Sequence, residues 1–168
     1  MPKIIEHLEE RLVEEARRQA ETGGYTAMTI RSVAKNCGVG VGTVYNYFPS
    51  KDALTAAFLL RDWKECIRAI HQVGQQAQSC DEVLLELWTQ LRGFLERYQK
   101  IFGDAGAAAV FVKSVGTYHG LLRSQLAEPL RRFCPDAFTA EFAAEAMLTW
   151  TINGRSYEEL LPLMRKLM

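Results

Sequence analysis

Apolar residues recur along this chain at three- and four-residue spacing, with no run at spacing two. That period places them on single faces of helices, so the pattern predicts an all-α protein. Ile4, Leu8, Leu12, Ala16 and Ala20 form a first stripe, with Ile5 and Val13 beside it, over a helix from 3 to 22 that Gly23-Gly24 ends. From Thr29 the pattern shortens. Ile30, Val33, Ala34 and Cys37 share a face of a helix that Thr29 caps and Gly38 stops. A second short helix runs from Val41 to about Phe48, with Val44 and Phe48 inward, and Pro49 ends it. Ser50 caps a long helix that reaches about Gln75.

Further helices follow. Asp81 is expected to cap one from 82 to about 101, stopped by Gly103. A short, tightly packed helix is expected over 105–112, and another from about 117 to 133, bent at Pro129. The next spans about 139–153, with Phe142, Ala143, Ala146, Met147 and Trp150 inward. Ser156 and Glu159 make a capping box that opens the last helix, which Pro162 kinks or restarts.

Composition narrows the function. The 168 residues are 48% hydrophobic and carry no formal net charge, so the whole molecule is not a general polyanion binder. The charge is nevertheless uneven: residues 29–51 contain Arg31, Lys35 and Lys51 and no Asp or Glu. Cys37, Cys66, Cys80 and Cys134 lack metal or redox spacing and read as free thiols of a reducing compartment. His7, His71 and His119 are scattered singly, which leaves no catalytic or metal constellation, and no cofactor motif is present. No apolar run reaches the ~20 residues that span a bilayer. The expectation is a cytoplasmic protein that is neither enzyme nor membrane protein.

Two short helices joined by a glycine-bearing turn make a helix-turn-helix, whose second helix enters the major groove of duplex DNA. Val41, Thr43 and Asn46 are suited to base edges, through methyl contact or hydrogen bonds. Tyr45, Tyr47 and Lys51 are suited to phosphates, and Gly42 lets the backbone come close. Thr29, Arg31 and Gly40 complete the candidate DNA-binding set.

Residues 23–54, GGYTAMTIRSVAKNCGVGVGTVYNYFPSKDAL, resemble the DNA-binding signature of the tetracycline-repressor (TetR) family. The matching pieces are Gly24-Tyr25, Thr29, the run from Ala34 to Val39, Gly42-Thr43-Val44-Tyr45, Tyr47-Phe48 and Ser50-Lys51. With the preceding helix the likeness covers about residues 4 to 60. Gly40 stands where the family usually has serine or threonine, and Val41 where a polar or basic residue is common. The resemblance implies a three-helix DNA-binding domain over 1–49, with its helix-turn-helix at about 29–48, and a helical regulatory and dimerisation domain over 50–168. It implies a homodimeric regulator, most often a repressor, that reads a palindromic operator and answers a small molecule.

The aromatic residues of the body suit a largely apolar ligand, with Trp63, Trp88, Tyr98, Phe102, Tyr118 and Trp150 as candidate lining. In the resembling family the last two helices pair with a second copy. Ala143, Ala146, Met147, Trp150, Leu160, Leu163, Met164 and Leu167 would take that part here. The rival reading is a helical protein-interaction module of the same fold that has lost DNA binding, and Gly40 and Val41 are its support.

Overall fold

The computed structural model of the chain describes residues 7–105, 107 and 119–168. Among the described residues there are helices and no strands. In order they are α1 (Leu8–Ala27), α2 (Ile30–Cys37), α3 (Val41–Tyr47), α4 (Lys51–Gln76), α5 (Cys80–Arg97), α6 (Gln99–Phe102), α7 (119–127), a 3-10 helix (Glu128–Phe133), α8 (Ala137–Ile152) and α9 (Tyr157–Met164). They form two compact units. The first is Met1–Asp62 with Arg97–Val112, and the second is Trp63–Glu96 with Lys113–Met168.

In the first unit, α1 packs on α2 and α6, and α2 on α3. Leu12, Ala16 and Ala20 of the α1 stripe are fully buried, as are Val33 of α2 and Val44 of α3. The helix does not simply stop at Gly23-Gly24. Gly24 leaves helical geometry at φ 82°, ψ 178°, and one more turn follows to Ala27. A left-handed φ favours glycine there, because a Cβ would crowd its own backbone. The expected start of this helix before residue 7 lies outside the described residues.

Asp62 of α4 is buried against the hydrophobic pattern, with 2% of its surface exposed. Its carboxylate accepts from the Tyr98 hydroxyl at 2.6 Å and from Arg97 at 2.9 Å. Arg17 of α1 approaches to 3.9 Å and Arg61 to 3.5 Å. The Tyr98 ring stacks on Phe58 with centroids 5.7 Å apart. A buried carboxylate needs such partners, since isolation from water would otherwise destabilise its charged form.

In the second unit the core is built from Ile70 of α4, Leu84, Leu87 and Leu91 of α5, Leu126, Leu130, and the small residues Ala140, Ala143 and Ala144 of α8. Trp63 packs edge-on to Phe94 and donates its indole N–H to Gln125 at 3.0 Å. At Gly74 an added Cβ would lie 2.5 Å from Pro129 Cβ, so α4 and the 3-10 helix meet there without a side chain between them.

Several boundaries differ from the sequence expectation. α5 ends at Arg97 because Tyr98 takes φ −104°, ψ 13°, and the short α6 follows. Asp81 does not cap α5: it lies inside the helix and pairs with Arg165. Glu82 instead accepts from the Ser79 N–H at 3.1 Å. Beyond α7 the chain tightens into the 3-10 helix carrying Pro129, rather than bending within one α-helix. Asp136 caps α8 by accepting from Thr139 N at 2.7 Å. The Ser156–Glu159 capping box is present, and α9 runs through Pro162 to Met164.

Candidate nucleic-acid interface

The helix-turn-helix is set by local chemistry at each joint. Thr29 accepts from Ser32 N at 3.0 Å, and the Ser32 hydroxyl returns to Thr29 N at 3.2 Å, which closes a capping box on α2. Gly38 then takes the left-handed conformation at φ 70°, and its N–H and that of Val39 reach back to Lys35 and Ala34. Gly40 precedes α3 with extended backbone and offers no side-chain cap. Phe48 is buried and closes α3.

α1 fixes α2 from behind. Arg11 donates to Cys37 O at 3.1 Å, Asn36 donates to Glu15 at 2.7 Å, and the Ser32 hydroxyl donates to Gln19 at 2.6 Å. Arg18 above all, then Gln19 and Asn36, hold the Glu15 carboxyl down to about 2 from an ordinary 4.5. A depressed folded-state value means the stabilisation is complete above 4.5 and is lost as pH falls toward about 2. Thermal unfolding between those limits should therefore lose less stability in Glu15→Gln than in the wild type; equal losses would contradict the assignment.

The outward surface of this motif carries no acid. Val41, Gly42, Tyr45, Asn46 and Tyr47 are exposed, with Tyr45 half open at 50%. Thr43 is half-buried, and Thr29 is exposed with its hydroxyl engaged in the cap. Arg31 and Lys35 are exposed and make no ion pair with a described residue. A Cβ on Gly42 would meet nothing within 4 Å, so no packing within the protein requires glycine there. Lys51 is half-buried rather than fully extended into solvent, its ammonium lying 4.0 Å above the Tyr25 ring.

Five of the six aromatic residues expected to line a ligand pocket are described, and they divide between the two units. Tyr98 is fully buried and Phe102 lies beside it in the first unit, where Tyr98 serves Asp62. In the second unit Trp63 is core, Trp88 donates to Arg155 O at 3.2 Å, and Trp150 is exposed. Tyr118 lies outside the described residues.

The residues considered for an interface between copies divide likewise. Ala143, Met147, Leu160 and Met164 are buried in the second unit's own core and present no surface to a partner. Ala146 and Leu167 are partly buried; Trp150 and Leu163 are open. Phe142, expected to point inward, is 51% exposed, and Phe138 is 76% exposed. Their rings lie 6.5 Å apart. The α8 segment AFTAEFAAEAMLTWTI is apolar on nearly every side, so spacing could not separate its two faces; that all-round character is the signal that could have revealed a second apolar surface.

Among the described residues no group of three His, Cys, Asp or Glu could hold a metal ion, and no helix is long and apolar enough to cross a membrane.

Residues 12–58 match the family model for bacterial regulatory proteins, tetR family. The chain is 34% identical over 105 residues to the HTH-type transcriptional repressor KstR of Rhodococcus jostii (strain RHA1), covering 54% of this chain and 46% of that protein. It is 29% identical over 87 residues to the HTH-type transcriptional regulator UidR of Escherichia coli (strain K12), covering 48% of this chain and 44% of that protein. The chain thus spans about half the length of these curated relatives, both of them transcriptional regulators. Its fold is that of SCO7518 from Streptomyces coelicolor A3(2), with a TM-score of 0.73 over 96% of this chain and 98% of the other at 14% identity. The capped, glycine-turned helix pair lies inside the matched segment, and the all-helical fold extends over nearly the whole chain. Residues 12–58 are thus the DNA-binding segment of the tetR family of bacterial regulatory proteins.

Proposed function

We propose that the protein is a DNA-binding transcriptional regulator, a repressor that reads a palindromic operator as a homodimer. The observation that carries this reading is the exposed, acid-free surface over 29–51, built on two short helices of which the first is capped by Thr29. Val41, Thr43 and Asn46 face base edges, with the Val41 side chain meeting a thymine methyl. Tyr45, Tyr47, Arg31 and Lys51 hold phosphates, and Gly40 and Gly42 let the backbone approach. The reading head is residues 1–49, and the regulatory and dimerisation domain is 50–168. The role is regulatory and not catalytic, and it is exercised in the cytoplasm.

Dimerisation belongs to the same reading and is supported by the exposed Phe138, Phe142, Trp150 and Leu163. A small-molecule effector of the body rests on the family relation alone and not on a cavity. The second reading, a protein-interaction module without DNA binding, draws on Gly40 and Val41, where a hydroxyl and a polar side chain are missing.

Fluorescence anisotropy with duplex DNA from upstream of its own gene decides between the two. Binding should prefer one sequence and weaken steeply with salt, as displacement of counterions from phosphates demands. Gly42→Ala should stabilise the fold slightly, by about 0.5–1 kcal/mol, because alanine is the better helix residue and meets no neighbour. The same substitution should weaken duplex binding several-fold by holding the backbone off the groove. Unchanged duplex affinity in Gly42→Ala would remove α3 from the interface, and indifference of the wild type to every duplex at low ionic strength would favour the interaction module.

A further inference from the structure

The last turn of α1 is clasped by the segment from α6 to Asp104, within the first unit. Lys100 Nζ donates to Thr22 O at 2.6 Å, and Asp104 Oδ2 accepts from Thr26 N at 2.8 Å. The positive φ of Gly24 brings the chain so close that an added Cβ would lie 3.2 Å from Lys100 O. Tyr25 sits in the middle of this clasped stretch. Its hydroxyl donates to Asp52, and its ring lies beneath the Lys51 ammonium at 4.0 Å. Burial first, then the Asp52 bond, push the Tyr25 phenol up to about 12, so it remains a proton donor.

Lys51 is thereby held from one side. Burial lowers its pKa, and the carboxylates of Asp104 and Asp52 act in the opposite sense. A free lysine side chain must surrender rotamer freedom to bind a phosphate, whereas one already laid along a ring loses less. The contacts run without interruption from Lys100 and Asp104, through Thr22–Thr26 and Tyr25, to a basic residue four positions beyond the end of the reading helix.

We propose that Asp104 and Tyr25 are positioning residues for Lys51: the post-α6 carboxylate anchors the end of α1, and the anchored tyrosine ring presents the lysine ammonium to a nucleic-acid phosphate. This rests on the DNA-binding reading above and adds a control point to it. A shift of the 99–104 segment would withdraw one phosphate contact from the head without touching α3.

Two measurements on the full chain test it. The first is the rate at which Lys51 is acetylated by a small anhydride, read by mass spectrometry in the absence of DNA. Asp104→Ala should speed labelling of Lys51 several-fold and leave Lys64 unchanged, while Asp104→Asn, which loses the charge but keeps an acceptor for Thr26 N, should speed it clearly less. The second is duplex affinity as a function of salt. Asp104→Ala should weaken binding roughly 3–10-fold and lower the salt slope by up to about 0.9, the equivalent of one phosphate. In a Lys51→Ala background it should cause no further loss. A further loss of the same size would make Asp104 merely structural and overturn the proposal, as would unchanged labelling of Lys51 in a folded Asp104→Ala protein. Faster labelling in a protein that ignores all duplexes would instead sink the DNA-binding reading and leave the positioning of Lys51 standing.

Discussion

Asp62→Ala is expected to lower the stability of the first unit by about 3 kcal/mol, the scale on which a buried ion pair fails when one partner is removed. The carboxylate is 97% withdrawn from solvent on its side chain and accepts from Tyr98 and Arg97, with Arg17 and Arg61 at its margin. Removing it leaves several cationic groups around an uncharged gap. The figure sits at the low end of the range because Arg97 is itself half exposed and partly screened by water. Tyr98→Phe removes one hydrogen bond and keeps the Phe58 stack, so it should cost only about 1 kcal/mol. Urea unfolding of the two variants beside the wild type reads both values. An Asp62→Ala midpoint indistinguishable from the wild type would show that the cluster does not hold the unit together.

The second large effect concerns association. Phe138→Glu combined with Phe142→Glu should turn a dimer into a monomer in sedimentation equilibrium, raising the dissociation constant by more than about tenfold, since buried aromatic anchors dominate such interfaces. Both rings project from α8 on the side away from Ala140, Ala143 and Met147, so the core is untouched and the circular dichroism spectrum should not change. Binding to a duplex carrying two half-sites should fall with the dimer, because the second head no longer binds intramolecularly. A double variant that still sediments as a dimer would place the contact between copies elsewhere, with Trp150 and Leu163 the next residues to change.

The helix-turn-helix is legible in the sequence because its signals are local. Thr29, Gly38, Val44 and Phe48 each act within a few residues, and cap, turn and inward face are written in the order in which they are used. Asp62 was not legible: an aspartate on a long helix reads as solvent-facing until its tyrosine and arginine partners, remote in sequence, are brought to it. Tyr98 is obscure for the related reason that a buried aromatic suggests a ligand, while its hydroxyl is committed to that aspartate. Phe142 and Trp150 read as inward from spacing because α8 has apolar residues all round, and periodicity cannot choose between two apolar faces. The exposed arrangement of α3 around Gly42, by contrast, follows from short-range rules and from the single inward pair.

Three of the carboxylates of α1 lie against cations of the same unit: Glu14 against Arg17 and Arg61, Glu15 against Arg18, and Glu21 against Arg17. Such pairs cancel at a distance, whereas Arg31 and Lys35 on α2 have no ion-pair partner among the described residues. Within a Debye length of about 8 Å, an approaching polyanion would feel the second set more than the first. The molecule would then turn one side toward its target before any contact forms. Added salt should accordingly slow its arrival more than it hastens its departure.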